Sequence, residues 1–292
     1  MTFGFSTAVS PHRTACPWRL SSRLLAGLAF VSLLPNIIAQ HFHINAGAVS
    51  QTAGSPLSFI NGAQFSTNSG FFVYLAPKQV GAPGPFQGTV TFTALPSTPL
   101  NGGPVTGHAL PGTSLALQWV AANGPTGGML GFLEEEDTAP RFSIQTGVGA
   151  QSWQLPLSEN DGSAGSDPYG HIHGRSFTAT RPGLYTATFR ILDTSSNGAG
   201  GTPLHTPSEP FVMFLQAGVG FHAIQREDNP LRLRFAGEPG STYQVESAST
   251  LENSRPWNAV AAPVKMGNQI VEISDPVGVS EKARYYRLRK VS

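Results

Sequence analysis

The chain has 292 residues, 18 basic and 17 acidic side chains and a formal net charge of +1, with only 12% of residues charged; that length allows one large or two ordinary domains, and the charge density is about half the usual share of roughly 25%. An apolar share of 40%, with 33 Gly and 24 Pro, supports a real core and stays below the roughly 25–30% Gly plus Pro of a disordered, low-complexity chain. Gly and Pro scattered between short apolar runs point to many turns and many short strands.

The first forty residues read as a targeting segment. Arg13, Arg19 and Arg23 precede an apolar run from Leu24 to Ala39, interrupted late by Pro35, and no acidic residue occurs before Gln40. A basic lead, an apolar stretch and a small residue at its end describe a secretory signal peptide over 1–39. The run is short for a transmembrane helix, which needs about 20 apolar residues; an uncleaved signal anchor is the alternative. Cleavage after Ala39 leaves Gln40 as the first mature residue, and cleavage after Gln40 leaves His41. The mature chain then carries 15 basic and 17 acidic side chains, net −2, and loses Cys16, the only cysteine. Disulfides, thiolate zinc sites and cysteine nucleophiles are excluded, so soft-metal chemistry must run through His or Met. The expected location is extracellular or periplasmic, in a bacterium, with no membrane span after cleavage.

From 41 to 218 short apolar runs alternate with turn clusters. "FFVYLA" (71–76), "GTVTFTAL" (88–95), "TSLALQWVA" (113–121), "GGMLGFLE" (127–134), "RFSIQ" (141–145), "RSFTAT" (175–180), "LYTATFRILD" (184–193) and "PFVMFLQAG" (210–218) read as strands, rich in Val, Phe, Tyr and Thr and several with period-two alternation. No helical periodicity is sustained after the signal. This spacing predicts an all-β fold, a β-sandwich of immunoglobulin-like or jelly-roll type. Near Gly218 the composition shifts: residues 41–218 carry 5 basic and 9 acidic side chains, residues 219–292 carry 10 and 8. "LRLRFAGEPGSTYQVESA", "QIVEIS" and "RYYRLRKV" predict a small second β domain over 219–292. Its basic alternation suits the solvent face of an edge strand, where charge guards against aggregation, and nucleic acid is not expected as a partner.

Two stretches resemble known bacterial modules. "DPYGHIHGRSFTATRPGLYTATFRILD" resembles the repeat of bacterial surface-anchored proteins through His171, His173, Phe177, Thr178, Pro182, Gly183 and Tyr185; Gly174–Arg175–Ser176 stand where that repeat has a tryptophan. The resemblance implies a non-catalytic cell-surface or periplasmic binding module, in some cases acting beside metal-uptake systems. The C-terminal part is similar to the fibronectin-III-like domains of large secreted proteins through Tyr243, Val245, Glu246, Ser247, Trp257 and Tyr286, which implies a structural or adhesive appendage.

The histidines carry the only chemistry that stands out. His41 and His43 form one His-x-His doublet, and His171 and His173 another. In a strand, residues two apart point to the same side, about 6.6 Å apart along the chain, so each doublet can converge on one ion. Four neutral imidazoles suit copper, zinc or nickel. Asp167 can ligate or orient a ring, and His205 is a further candidate on a loop. The bland alternative is a set of histidines that hydrogen-bond within sheets and loops. "EEED" (134–137) lacks the spaced ligands of a calcium loop and reads as a solvated loop. "DTSSNGAGG" (193–201) has no lysine and no following helix, so it is not a phosphate cradle, and Ser195 lacks a nucleophile elbow. Trp119, Trp153 and Trp257 could stack sugars, but two lie in strand-like runs that favour core packing.

The sequence therefore reads as a secreted, non-catalytic binding protein that holds copper or zinc through His41, His43, His171 and His173, with Asp167 and His205 in reserve, and has a metal ion or a cell-surface component as partner. Two alternatives stay open. One is a copper-dependent oxidoreductase in which His41, as the mature N-terminus, chelates copper through amine and ring. The other is a structural or glycan-adhesive extracellular protein.

Overall fold

The computed structural model describes residues 42–78, 86–134, 136–148, 153–171, 175–226, 230–251, 256–276 and 283–292. The expected signal peptide, His41 and His173 lie outside them. In chain order the elements are β1 (His43–Ala48), β2 (Leu57–Phe59), a one-turn helix (Gly62–Phe65), β3 (Phe72–Pro77), β4 (Phe86–Thr89), β5 (Thr91–Ala94), β6 (Leu115–Asn123), β7 (Met129–Leu133), β8 (Phe142–Gln145), β9 (Trp153–Pro156), β10 (Gly170–His171), β11 (Ser176–Ala179), β12 (Gly183–Asp193) and β13 (Phe211–Ala217). The C-terminal part adds β14 (Gly220–Arg226), β15 (Leu231–Ala236), β16 (Thr242–Ala248), β17 (Asn258–Ala259), β18 (Val264–Lys265), β19 (Val271–Asp275) and β20 (Tyr285–Lys290). The protein is all-β, as the strand-and-turn spacing predicts.

Nine strands form one sheet in the order β8-β7-β11-β4-β3-β13-β12-β6-β9, curled into a nearly closed barrel. Phe142 of β8 stacks on Trp153 of β9, ring centroids 4.7 Å apart, where the two edges approach. Trp119 lies inside with no exposed surface, 5.5–5.9 Å from the rings of Phe142, Phe177 and Phe189. Offset and edge-on aromatic contacts of this kind add to the burial of apolar area, which assigns Trp119 to the core. A second sheet, β10-β5-β1-β2, covers one side. Its inward residues Ile44, Ala46, Phe92 and Ala94 are buried, and Phe92 meets Phe189 of β12 at 5.3 Å.

One predicted strand divides. "GTVTFTAL" alternates cleanly and reads as a single element, yet β4 ends at Thr89 and β5 begins at Thr91, and the two belong to different sheets. Alternation reports which face is buried, not which neighbour supplies the hydrogen bonds. A strand that turns the corner between packed sheets keeps its pattern while it changes partners.

The Pro182-Gly183-x-Tyr185 run has a structural explanation. Tyr185 is fully buried; its O–H donates to the Arg181 carbonyl at 2.9 Å and accepts the Arg181 N–H at 3.2 Å. Gly183, at φ 133°, takes the turn that brings the hydroxyl back. This is the geometry of a tyrosine corner. It locks the entry to β12, the long central strand that pairs with both β6 and β13.

Residues 40–292 form one compact unit. The expected boundary at 218 falls at a positive-φ turn, Gly218, between β13 and β14. The C-terminal strands make two small sheets, β14-β15-β19 and β17-β16-β18, with β20 pairing β16. They do not close on themselves alone. Their core of Leu233, Phe235, Tyr243, Val245 and Met266 takes in Phe72 from β3, with Tyr74 and Phe214 packed against it. The Phe72 N–H donates to Asn268 O and the Ile270 N–H to Gly70 O, each at 2.9 Å. Along β20 the basic side chains meet carboxylates: Arg287 and Arg289 on Glu246 at 2.8 and 2.7 Å, and Lys290 on Glu238 at 2.7 Å. The alternating charge of "RYYRLRK" is thus paired within the sheet.

Candidate functional site

The outward face of the smaller sheet carries the polar cluster. In β1, Ile44 and Ala46 point into the core, so period two turns His43 and Asn45 outward. In β5, Phe92 and Ala94 point inward and Thr91 and Thr93 outward. β1 runs parallel to β5, placing His43 against Thr91 and Asn45 against Thr93, whereas β10 is antiparallel to β5 and sets His171 directly across from Thr93. The central strand therefore holds Thr93 between a histidine from each side.

The two rings meet. His43 and His171 stack with centroids 4.7 Å apart and planes 6° from parallel. Nδ1 of His43 lies 3.1 Å, and Nδ1 of His171 3.0 Å, from the Thr93 hydroxyl. Those partners stand 50 and 78 residues away in the chain. Backbone contacts on either side hold the strands. The Asn61 side chain brackets β1, accepting the Asn45 N–H and donating to the His43 carbonyl, both at 2.8 Å. Glu159 accepts the His171 N–H at 2.8 Å. One member of each His-x-His doublet is thus part of a single stacked pair; the other members, His41 and His173, are outside the described residues.

Asp167 and His205 are placed elsewhere. The Asp167 carboxylate accepts from the Ser97 N–H at 3.3 Å, the Ser97 hydroxyl at 3.0 Å and the Tyr169 N–H at 2.8 Å, fixing the loop that leads into β10. His205 is 2% exposed. Its Nε2 accepts the Leu110 N–H at 3.0 Å, and Nδ1 lies 2.9 Å from the Ser55 carbonyl. That pattern requires the neutral ring with its proton on Nδ1. Both nitrogens serve the backbone, so His205 ties two loops together in place of ligating an ion. Among the described residues, no group of three or more His, Cys, Asp or Glu side chains is arranged to hold a metal. Of the described candidates, His43 and His171 are the two whose side chains meet.

The other polar stretches are structural. In the acidic run, Asp137 pairs with Arg141 at 2.8 Å and Glu134 lies 3.5 Å from the buried Arg175; Glu135 is outside the described residues. In the glycine-rich loop, Asp193 gathers four backbone donors: Ser114, Ser195, Leu204 and His205 N–H at 3.2, 2.9, 2.8 and 3.1 Å. Ser195 Oγ is buried and makes no hydrogen bond. Trp153 remains half-exposed, and Trp257 lies under Arg287, 4.4 Å from the guanidinium carbon to the ring centroid.

A further histidine, His222, escaped the sequence reading because it has no motif around it. It sits at the bulge of β14, where the register shifts between Phe221 and Ala223, and both ring nitrogens are buried without partners. Burial, with a smaller contribution from Arg234, pulls its pKa down from 6.5 to about 4. The folded protein therefore binds fewer protons here than the unfolded chain between these values. Stability from this group is complete above about pH 6.5 and is lost as pH falls toward 4, by of order 2–3 kcal/mol after allowance for partial exposure. Thermal unfolding followed from pH 7.5 to 4.5 should show a drop in the wild type that His222→Leu flattens; parallel curves would disprove the assignment.

Compared with known protein families the chain matches none, and no curated protein matches it.

Proposed function

We propose that this is an exported, non-catalytic binding protein whose ligand is a divalent transition metal, copper or zinc, held by the histidines of its outer sheet. The observation that carries the reading is the stacked pair of His43 and His171, two imidazoles from distant strands brought onto one hydroxyl. Neutral imidazole is a preferred ligand for both metals. A ring whose second nitrogen is held by a hydrogen bond is the usual form of a metal-ligating histidine. His41 and His173, each two positions from a member of the pair in sequence, are the candidates to complete the set. Export follows from the basic and apolar N-terminal segment, and a cell-surface role from the resemblance to surface-anchored repeats. The Ser195 hydroxyl makes no hydrogen bond to the neighbouring Asp193 carboxylate, which favours binding over turnover.

The test is a titration of metal-stripped protein with copper and with zinc at about pH 7.5, where imidazoles are neutral. Wild type should take up about one equivalent, and the double variant His43→Ala, His171→Ala should bind neither metal while keeping the wild-type melting curve. Absence of uptake by the wild type would end the metal reading.

A further inference from the structure

Where β6 begins and β9 and β12 end, the nine-stranded sheet carries a cleft of about 510 Å³, within the range of about 300–1,000 Å³ usual for small-molecule sites. In β6, Leu115 and Leu117 are buried in the core, so period two turns Ser114 and Ala116 outward. In β9, Leu155 is buried and Gln154 and Pro156 are exposed. Ala116 pairs with Pro156 across the two strands, which gives the cleft a small apolar floor. The 160–162 turn and the 194–196 loop supply the rest of the lining. Both are tied down from behind. Asn160 Nδ2 donates to the Thr113 and Asp167 carbonyls, each at 2.8 Å. Asn197 Nδ2 donates to Gly112 O at 2.7 Å and to Gly162 O at 2.8 Å, which links one loop to the other. Asp193 holds the Ser114 and Ser195 N–H groups. The cleft is thus shaped by the fold before anything enters it, which lowers the ordering cost of binding.

The lining is polar and nearly uncharged. Among the described residues it contains no Lys, Arg, His or aromatic side chain, which disfavours anions and large apolar groups. Its one charged residue is Asp161, which is exposed. The Ser163 N–H donates to Asp161 Oδ1 at 3.0 Å, and that bond holds the carboxyl below the usual carboxylate range, so near neutral pH it is purely an acceptor. A single carboxylate is far from the six to eight oxygens of a calcium site. Gln154 offers a carbonyl acceptor and NH2 donors in one plane, and the Ser114 and Ser196 hydroxyls both donate and accept. Ser195, 6% exposed, adds a hydroxyl that makes no hydrogen bond, and a ligand hydroxyl reaching it would recover its desolvation cost. A ligand rich in uncharged hydroxyls, with a C–H face to rest on Ala116 and Pro156, fits this set. We infer that the cleft is a binding site for a neutral saccharide, with Asp161 and Gln154 as its principal hydrogen-bonding residues. The inference uses none of the histidines and does not rest on the metal reading.

The test uses the full chain. A microarray of neutral and acidic oligosaccharides is probed with wild type, and a neutral glycan that binds is titrated calorimetrically into wild type, Gln154→Ala and Asp161→Asn. Both side chains are exposed, and Asp161→Asn keeps an oxygen for the Ser163 N–H, so both variants should retain the wild-type melting curve. Each should bind the glycan about tenfold more weakly. The double variant His43→Ala, His171→Ala should bind it as wild type does. Nitrogen-15 NMR of wild type should show glycan-induced shifts at the amides of residues 114–116, 154 and 194–196. No binding to any neutral glycan on the array, a preference for acidic glycans, or wild-type affinity in both cleft variants would overturn the inference. Loss of glycan binding in the histidine variant, or shifts confined to residues outside the cleft, would overturn it as well.

Discussion

Gly170→Ala should lower the melting temperature by roughly 6–12 °C, the shift that about 3 kcal/mol produces in a chain of this size. The reason is steric. A Cβ on Gly170 would fall 1.8 Å from the Leu157 carbonyl oxygen, 2.8 Å from its carbon and 2.9 Å from the Ser158 Cα. All three are backbone atoms, so no rotamer change relieves the clash, and either β10 or the 157–159 segment must move. The two segments are stitched together there: Glu159 N–H donates to Tyr169 O at 3.0 Å, and the His171 N–H donates to the Glu159 carboxylate at 2.8 Å. Displacing β10 carries His171 away from Thr93, so the variant should also lose any metal uptake. Gly220→Ala is the control, because a Cβ there meets nothing within 4 Å. Calorimetry of the three proteins settles it: a Gly170→Ala transition within two or so degrees of wild type would mean the close approach is absent.

Asp193→Ala should be comparably damaging, by about 3–5 kcal/mol. The carboxylate is 7% exposed and is the shared acceptor of four N–H groups from three chain segments, at 114, 195 and 204–205. Removing it strands buried donors, and each carries a desolvation cost of roughly 1–3 kcal/mol unless water reaches it. Asp193→Asn retains one acceptor oxygen and turns an NH2 toward donors, so it should fall between wild type and alanine. Urea denaturation should show a lower midpoint with an unchanged slope, and amide exchange should accelerate at residues 114, 195, 204 and 205. An alanine variant within about 0.5 kcal/mol of wild type would show that the loop cluster holds without its centre.

These two positions mark what was hard to read beforehand. "DTSSNGAGG" shows a polar, glycine-rich loop, and nothing in it reveals that Asp193 reaches back to Ser114. Gly170 looks like any turn glycine in "DPYGH". Its role depends on Leu157, which folds beside it only when the sheet forms. Thr93 was closer to legible. The alternation in "TVTFT" puts Thr91 and Thr93 on the face opposite Phe92, a polar stripe on a buried strand. What it lacked was a partner. β1 and β10 were missed because they are short and polar: β10 has two residues, too few for periodicity to register, and β1 begins with histidine and asparagine on its outer face.

The amino-acid sequence by itself determined the all-β class, because burial of one face at a time writes period two into each strand, and Gly and Pro mark the turns between them. It also determined that thiol chemistry is absent beyond Cys16 and that imidazole is the one strong ligand type present in doublets. Only the tertiary structure decided which histidines meet. Local pattern specifies which side of a strand a residue faces; it carries no information on strand order, and pairing β5 between β1 and β10 is set by packing Ile44, Phe92 and their neighbours onto β12. The same packing sent His205 and Asp167 to backbone partners elsewhere, and left Thr93 between the two rings.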